Sequence, residues 1–199
     1  MSHYYTNNVD LETHETRIPF QYRKHQLTFI SDIGVFSKER VDYGSRVLLD
    51  CMDIQANQRS LLDVGCGYGT LGVSLKKEYP WLHVEMVDVN ERAVHLANQS
   101  CQYNDVEDIK AYLSFAYENV VGTFDVIVSN PPIRAGKKVV FEILEKAFDF
   151  LNENGELIVQ KKQGAPSAQK KMNEVFGNCE IIKRDKGYFI LKSIRNTDF

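Results

Sequence analysis

Three features of this 199-residue sequence predict an α/β fold built on a mainly parallel sheet with helices on both faces. Short apolar runs alternate with amphipathic stretches, a glycine-rich turn follows the first run, and the chain closes on a pair of strand-like segments.

The first third reads as an extension. From Arg17 to Phe29 (RIPFQYRKHQLTF), aromatic and β-branched residues flank a polar Arg23-Lys24-His25 turn, which predicts a hairpin. Val41 to Met52 (VDYGSRVLLDCM) places Val41, Val47, Leu48 and Cys51 near helical spacing. The apolar runs come next, at 60–65 (SLLDVG), 83–89 (HVEMVDV), 109–115 (IKAYLSF), 124–130 (FDVIVSN) and 156–161 (ELIVQK). Helix-compatible stretches lie between them at Leu71–Tyr79, Glu91–Tyr103 and Lys138–Leu151, so βαβ units follow. The segment CEIIKRDKGYFILKSIR supplies two strands around Asp185-Lys186-Gly187, an antiparallel hairpin that brings the sheet to seven strands. Residues 1–53 are therefore expected to form a hairpin-and-helix extension packed on a main domain at 54–199.

Composition narrows the class. No stretch approaches the roughly 20 uninterrupted apolar residues of a membrane span, and MSHYYTNNVDLETHETR lacks the apolar core of a signal peptide, so a cytoplasmic protein is expected. Cys51, Cys66, Cys101 and Cys179 are far apart, with no C-x-x-C pair and no His at ligand spacing, so reduced thiols and no metal are expected. The net charge of −3 argues against binding nucleic acid by bulk electrostatics. The charge is unevenly distributed, however: from Asn130 onward 13 Lys+Arg face 9 Asp+Glu, a balance of +4, which leaves −7 on the first 129 residues. A basic acceptor face on an acidic body fits this partition, as do ordinary solvated faces.

Three motifs carry chemistry. The first, Asp63-Val64-Gly65-Cys66-Gly67-Tyr68-Gly69, stands where a strand gives way to a helix, and its glycines let the backbone approach a nucleotide-like ligand. The dinucleotide-binding fingerprint would need a third glycine at position 70, where Thr70 stands, and this counts against NAD. In the second, Asp88 ends the next strand (VDVN), placed to accept hydrogen bonds from ribose hydroxyls. No Lys or Arg lies in the glycine turn to neutralise a pyrophosphate, which suits an adenosine ligand without phosphates. The third motif is Asn130-Pro131-Pro132, directly after the strand FDVIVS. Two prolines fix φ and remove two donors, so the Pro131 carbonyl and the Asn130 side-chain oxygen are two acceptors at a strand's carboxyl end. Such a pair can hold both protons of an amino group and aim its lone pair at an electrophilic methyl.

In this order, DVGCGYG, VDVN and SNPP form the signature of class I, Rossmann-like methyltransferases acting on planar nitrogen. The chain resembles the small-domain family of ribosomal RNA guanine-N2 methyltransferases over about residues 17–195. GVFSKERVDYGSRVLL at 34–49 looks like the segment that leads into that family's catalytic fold, and SNPPIRAGK at 129–137 looks like its acceptor loop. Members with a duplicated architecture carry a further N-terminal domain, so the resemblance is to their catalytic half or to short stand-alone members.

The resemblance implies S-adenosylmethionine as cofactor, held by Asp63, Gly65 and Gly67 around its methionine part, by Asp88 and Val89 at the ribose, and by Ser114 and Phe115 at the adenine. Asn130, also beside the cofactor, would act on the acceptor amine with Pro131 and Pro132. Phe36 and Ser37 would help close the pocket, and Ile133, Arg134, Lys137 and Lys138 would border the substrate, ribosomal RNA or an assembling small ribosomal subunit. Relatives acting on adenine, or on glutamine of release factors, usually carry an aromatic residue after N-P-P, whereas Ile133 stands here. The expected activity is methylation of an exocyclic amine, guanine N2 of small-subunit rRNA. The alternatives are an adenine-N6 or protein-glutamine methyltransferase, a small-molecule methyltransferase, and a non-catalytic S-adenosylmethionine-binding module.

Overall fold

The computed structural model describes residues 14–36, 40–132 and 135–197. It begins with a hairpin of β1 (Glu15–Tyr22) and β2 (His25–Asp32) joined by a two-residue turn in which Arg23 takes a φ of 52°. Helix α1 (Tyr43–Cys51) follows, then the alternation β3 (Ser60–Val64), α2 (Thr70–Glu78), β4 (His83–Asp88), α3 (Glu91–Tyr103), β5 (Ile109–Leu113) and β6 (Phe124–Ser129). The chain continues through α4 (Lys137–Lys146), a 3-10 turn at Ala147–Phe150, β7 (Leu151–Lys161), α5 (Ala165–Phe176), β8 (Glu180–Asp185) and β9 (Tyr188–Ile194).

The main sheet has seven strands in the order β5-β4-β3-β6-β7-β9-β8. The first five are parallel, and β9 and β8 close the sheet antiparallel to their neighbours, as the sequence predicts. Strand order reverses between β3 and β6, the switch point outside which open α/β sheets bind ligands. The two-residue period of a strand divides the core between the sheet's faces. Leu61, Val126 and Val128 point into a cluster with the hairpin, α1, α2 and α3, while Leu62, Val64 and Ile127 meet Val140, Ile143, Leu144, Ala168 and Met172 of α4 and α5.

Three elements differ from the sequence reading. α5 was not foreseen, because its buried stripe of Ala165, Ala168, Met172 and Phe176 begins with two alanines, which carry little hydrophobic signal. Its start is set by Gly164 in the left-handed region and by a proline in the first turn. The helix expected at Lys138–Leu151 ends at Lys146, and β7 begins at Leu151 rather than 156. The register against β6 shifts between Phe124 and Val126, a bulge that obscures the period-two pattern.

The hairpin is built into the same core. Ile18, Tyr22, Leu27 and Phe29 are buried beside Leu71, Leu75 and Leu96. The Tyr22 hydroxyl donates to the Leu49 carbonyl at 3.0 Å and the Arg23 guanidinium to the Met52 carbonyl, adding side-chain donors to carbonyls at the end of α1. β2 presents an edge, and side chains of α3 occupy it as a neighbouring strand would. Asn104 accepts from the Thr28 N–H at 3.0 Å and donates to the Thr28 carbonyl at 2.7 Å, and the Ser100 hydroxyl accepts from the Ile30 N–H at 2.9 Å. No helix among the described residues is long and apolar enough to cross a membrane.

On the β4–β5 side, the ring nitrogens of His83 lie 2.8 Å from Asp108 and 2.7 Å from Glu85. Partial burial works against its charge, yet the hydrogen bonds and charges of the two carboxylates raise the imidazole pKa above 6.5. A group whose folded pKa is raised contributes stability that is complete below the unfolded value and is lost as pH rises through the folded one. Melting temperature is therefore expected to fall as pH rises above about 6.5 through the raised pKa, and His83→Gln should flatten that part of the profile. An identical slope in the variant would assign the pH dependence to other groups.

Candidate active site

The β3–β6 pair positions the site. Parallel pairing runs through Leu61↔Val126 to Val64↔Ser129, so both strands end at the same level, and the Ser129 hydroxyl donates to the Val64 carbonyl at 2.8 Å. Beyond β3 the glycine turn wraps back, with the Gly65 and Cys66 N–H groups both donating to the Val87 carbonyl at 2.9 Å. Gly65 and Gly67 have φ of 77° and 55°, in the left-handed region. A Cβ on Gly65 would meet no atom within 4 Å, so that backbone faces open space, whereas Phe36 lies 3.6 Å from the place of a Cβ on Gly67. Phe36 also meets Tyr68 edge-on at 5.0 Å between ring centroids, so it covers the glycine turn.

Two carboxylates serve the turn. Asp88 is buried, accepting from the Gly67 N–H at 2.8 Å through one oxygen and from the Asn90 N–H at 2.9 Å through the other. Asp63 is fully buried, and one of its oxygens accepts from the Gly72 N–H at 3.2 Å while the other, Oδ1, has no partner among the described residues. Burial above all, with a further push from the Asp88 charge, raises the Asp63 carboxyl to about 7 despite the Gly72 hydrogen bond.

Asn130, just past β6, is held by α1. Its amide nitrogen donates to the Ser45 hydroxyl at 2.7 Å and to Asp42 at 3.2 Å, which turns its oxygen the other way. Gln160 of β7 meets that oxygen. In the amide orientation that satisfies its neighbours, Gln160 donates to Asn130 Oδ1 and accepts from the Lys161 and Lys162 N–H groups at 3.1 Å. The Pro132 carbonyl accepts from the Ala135 N–H at 2.9 Å, and among the described residues no N–H donates to the Pro131 carbonyl.

These groups line one cavity of about 440 Å³, within the range of small-ligand sites. Asp63, Gly65 and Gly67 form one side of it, Asn130, Pro131 and Pro132 another, and Arg40, Lys162 and Tyr188 stand with them. A smaller pocket of about 30 Å³ shares Gly65, Pro131 and Pro132 and adds Asp88, Val89, Ser114 and Phe115. The Ser114 hydroxyl is tied into its own turn, donating to the Ala116 carbonyl at 2.8 Å and accepting from the Asn119 N–H at 3.0 Å, while the Phe115 ring is exposed. Lys137 and Lys138 open α4 away from the main cavity, with the Lys137 ammonium 5.1 Å from the Phe141 ring. Ser37, Ile133 and Arg134 lie outside the described residues.

Residues 26–192 match the family model described as "Methyltransferase small domain". The chain belongs to that family. It is 44% identical over 195 residues to the uncharacterized protein YbxB of Bacillus subtilis, covering 96% of this chain and 97% of that one. It is 38% identical over 138 residues to ribosomal RNA small subunit methyltransferase C of Aeromonas hydrophila, covering 67% of this chain and 40% of that enzyme. Among solved structures it superposes on the T. thermophilus 16S rRNA N2 G1207 methyltransferase in complex with AdoMet and guanosine, with a TM-score of 0.84 at 23% identity, covering 94% of this chain and 52% of that one. The chain thus spans about half the length of that solved relative and less of the Aeromonas one.

The methyltransferase site fits S-adenosylmethionine as methyl donor. Asp63 Oδ1, buried and unpartnered at the cavity wall, matches the donor's ammonium group. Asp88, a buried acceptor at the end of β4 beside the glycine turn, is of the kind that suits ribose hydroxyls. The sequence reading missed Asp42, Ser45 and Gln160, the residues that orient Asn130. The one available signal was Gln160, a polar side chain inside the apolar run ELIVQK that turns out buried.

Donor binding should therefore depend on pH. An ammonium ligand favours the ionised carboxylate, so below about pH 7 binding must displace a proton from Asp63, and affinity should weaken toward about tenfold per pH unit. Calorimetry between about pH 7 and pH 5.5 reads this directly, below the range where an α-amino group titrates. Asp63→Asn should bind more weakly and without the slope, whereas flat wild-type affinity would remove Asp63 from the ammonium site.

Proposed function

We propose that this methyltransferase transfers the methyl group of S-adenosylmethionine to an exocyclic amine of RNA, guanine N2 of the small-subunit rRNA, in the cytoplasm. The observation that carries the reading is the orientation of Asn130. Its amide nitrogen is taken by Ser45 and Asp42, so its oxygen is the end presented where Gln160 now donates an N–H. An amine entering the cavity replaces the Gln160 amide as donor to that oxygen and gives its second hydrogen to the Pro131 carbonyl. Held by both hydrogens, the nitrogen has its lone pair directed out of the base plane, and the two acceptors favour the positive charge that develops on it. When bound, the cofactor supplies a methyl group activated on a sulfonium centre. The protein's part is placement and electrostatic support, and the methylated nitrogen, cationic and strongly acidic, releases one proton to water, so no acid–base residue is required of it. The guanine and rRNA assignments draw their support from the named relatives, and the cations among the described residues that line the cavity, Arg40 and Lys162, suit a phosphate backbone.

Asn130→Ala removes one acceptor, and turnover should fall about 10²–10³-fold, the usual loss for a preorganised polar group at a reacting centre. Single-turnover methylation measures this, with donor affinity and melting temperature recorded alongside. Asn130→Asp keeps acceptor oxygens but sets a carboxylate against Asp42 and loses the donor to Ser45, so it should recover little activity. Near-normal turnover in a folded, donor-binding Asn130→Ala protein would rule out an acceptor amine held this way.

A further inference from the structure

Across the cavity from the glycine turn, a second cluster is left unused by the chemistry above. Tyr188 opens β9 and lines the cavity with Asn130, and the ring of Tyr43, first residue of α1, meets it edge-on at 5.2 Å between centroids and 60° between planes. Each ring carries a lysine on its face, Lys162 at 4.9 Å over Tyr188 and Lys186 at 5.1 Å over Tyr43. Both lysines are exposed, and Arg40 adds a third cation at the cavity wall. The acids nearby are engaged, Asp185 accepting from the Tyr43 hydroxyl at 2.6 Å and Asp42 from the Asn130 amide. Gly44 brings the pieces together. A Cβ there would stand 2.6 Å from the end of the Gln160 amide and 3.3 Å from the Tyr188 ring, so α1 seats this close to both only without a side chain.

We propose that Tyr188 and Tyr43, with Lys162, Lys186 and Arg40, form a platform that binds an unpaired RNA segment as it delivers its base to Asn130. This rests on the RNA reading of the site. An aromatic face topped by a mobile ammonium matches the two chemistries of a nucleotide: the base stacks on the ring, and the lysine it displaces moves to the adjoining phosphate. The rings are pre-positioned, Tyr43 by its hydroxyl and Tyr188 by Tyr43 and Gly44, so little side-chain freedom is lost on binding. Stacking requires an exposed base face, so the ligand is single-stranded or splayed out rather than duplex. Continuity with the cavity wall places the platform beside the reacting base.

Fluorescence anisotropy of the full chain with a labelled single-stranded RNA decamer, and with a hairpin whose stem has the same sequence, tests the proposal. The single strand is expected to bind more tightly than the stem. Tyr188→Ala should weaken it roughly five- to hundredfold, the effect of losing one stacked base, while Tyr188→Phe retains wild-type affinity and S-adenosylmethionine affinity by calorimetry is unchanged. Replacing Lys162 and Lys186 together with Ala should lower the slope of log affinity against log salt by about 1.4, two phosphate contacts on a single strand. Wild-type RNA binding that is unaltered in folded Tyr188→Ala, or equal affinity for stem and single strand, overturns the platform and leaves the RNA reading standing. A wild-type protein that binds neither RNA overturns both.

Discussion

The parallel pairing of β3 with β6 is the constraint on which the rest of the structure depends. These strands are distant in sequence, and their register from Leu61↔Val126 to Val64↔Ser129 brings the glycine turn and the N-P-P segment to one level at the switch point of the sheet. Burial on both faces enforces that register, since a slip of one residue would exchange the two sets of core side chains. It would also turn Asp63, which shares a face with Val128 and reaches Gly72 in α2, into the opposite core. The Ser129 hydroxyl, bonded to the Val64 carbonyl, fastens the two strand ends where their loops diverge.

A second set of contacts carries that alignment to the reacting end. The hairpin holds the end of α1 by its carbonyls through Tyr22 and Arg23, and α3 holds the hairpin through Ser100 and Asn104. α1 in turn grips the Asn130 amide through Asp42 and Ser45. The extension thus acts as the brace that decides which end of Asn130 faces the cavity. An asparagine whose oxygen pointed toward α1 would present donors to an incoming amine and could not hold it.

How much of this was legible in the sequence follows from which interactions are local in the chain. Gly65, Gly67 and the two prolines state their backbone requirements in place, so the motifs and their strand-end positions could be read directly. Asp88 was legible through its distance from the glycine turn. Asp42, Ser45 and Gln160 were not, because their roles exist only once α1 and β7 are folded around β6. The basic border shows the same limit. Arg134, Lys137 and Lys138 follow the acceptor motif in sequence, but the described cations that reach the cavity are Arg40 and Lys162, from segments on either side of it in the chain. Among elements, α5 was hidden by its alanines and the start of β7 by a bulge, and in neither case does residue type announce the geometry.

On the proposed reading the arrangement presents a planar amine: two oxygens at a strand end, Asp63 and Asp88 toward the methyl donor on one side, and an aromatic and basic wall on the other. The central claim is that the amine is guanine N2 of small-subunit rRNA. Incubating the purified protein with S-adenosylmethionine carrying a labelled methyl group, and with small ribosomal subunits from a strain lacking the gene, followed by nucleoside mass spectrometry, tests this most directly. The account predicts label in N2-methylguanosine, at a position unmethylated in the deletion strain and methylated in its parent. Label in N6-methyladenosine or in ribosomal protein, or no label in N2-methylguanosine, would contradict it.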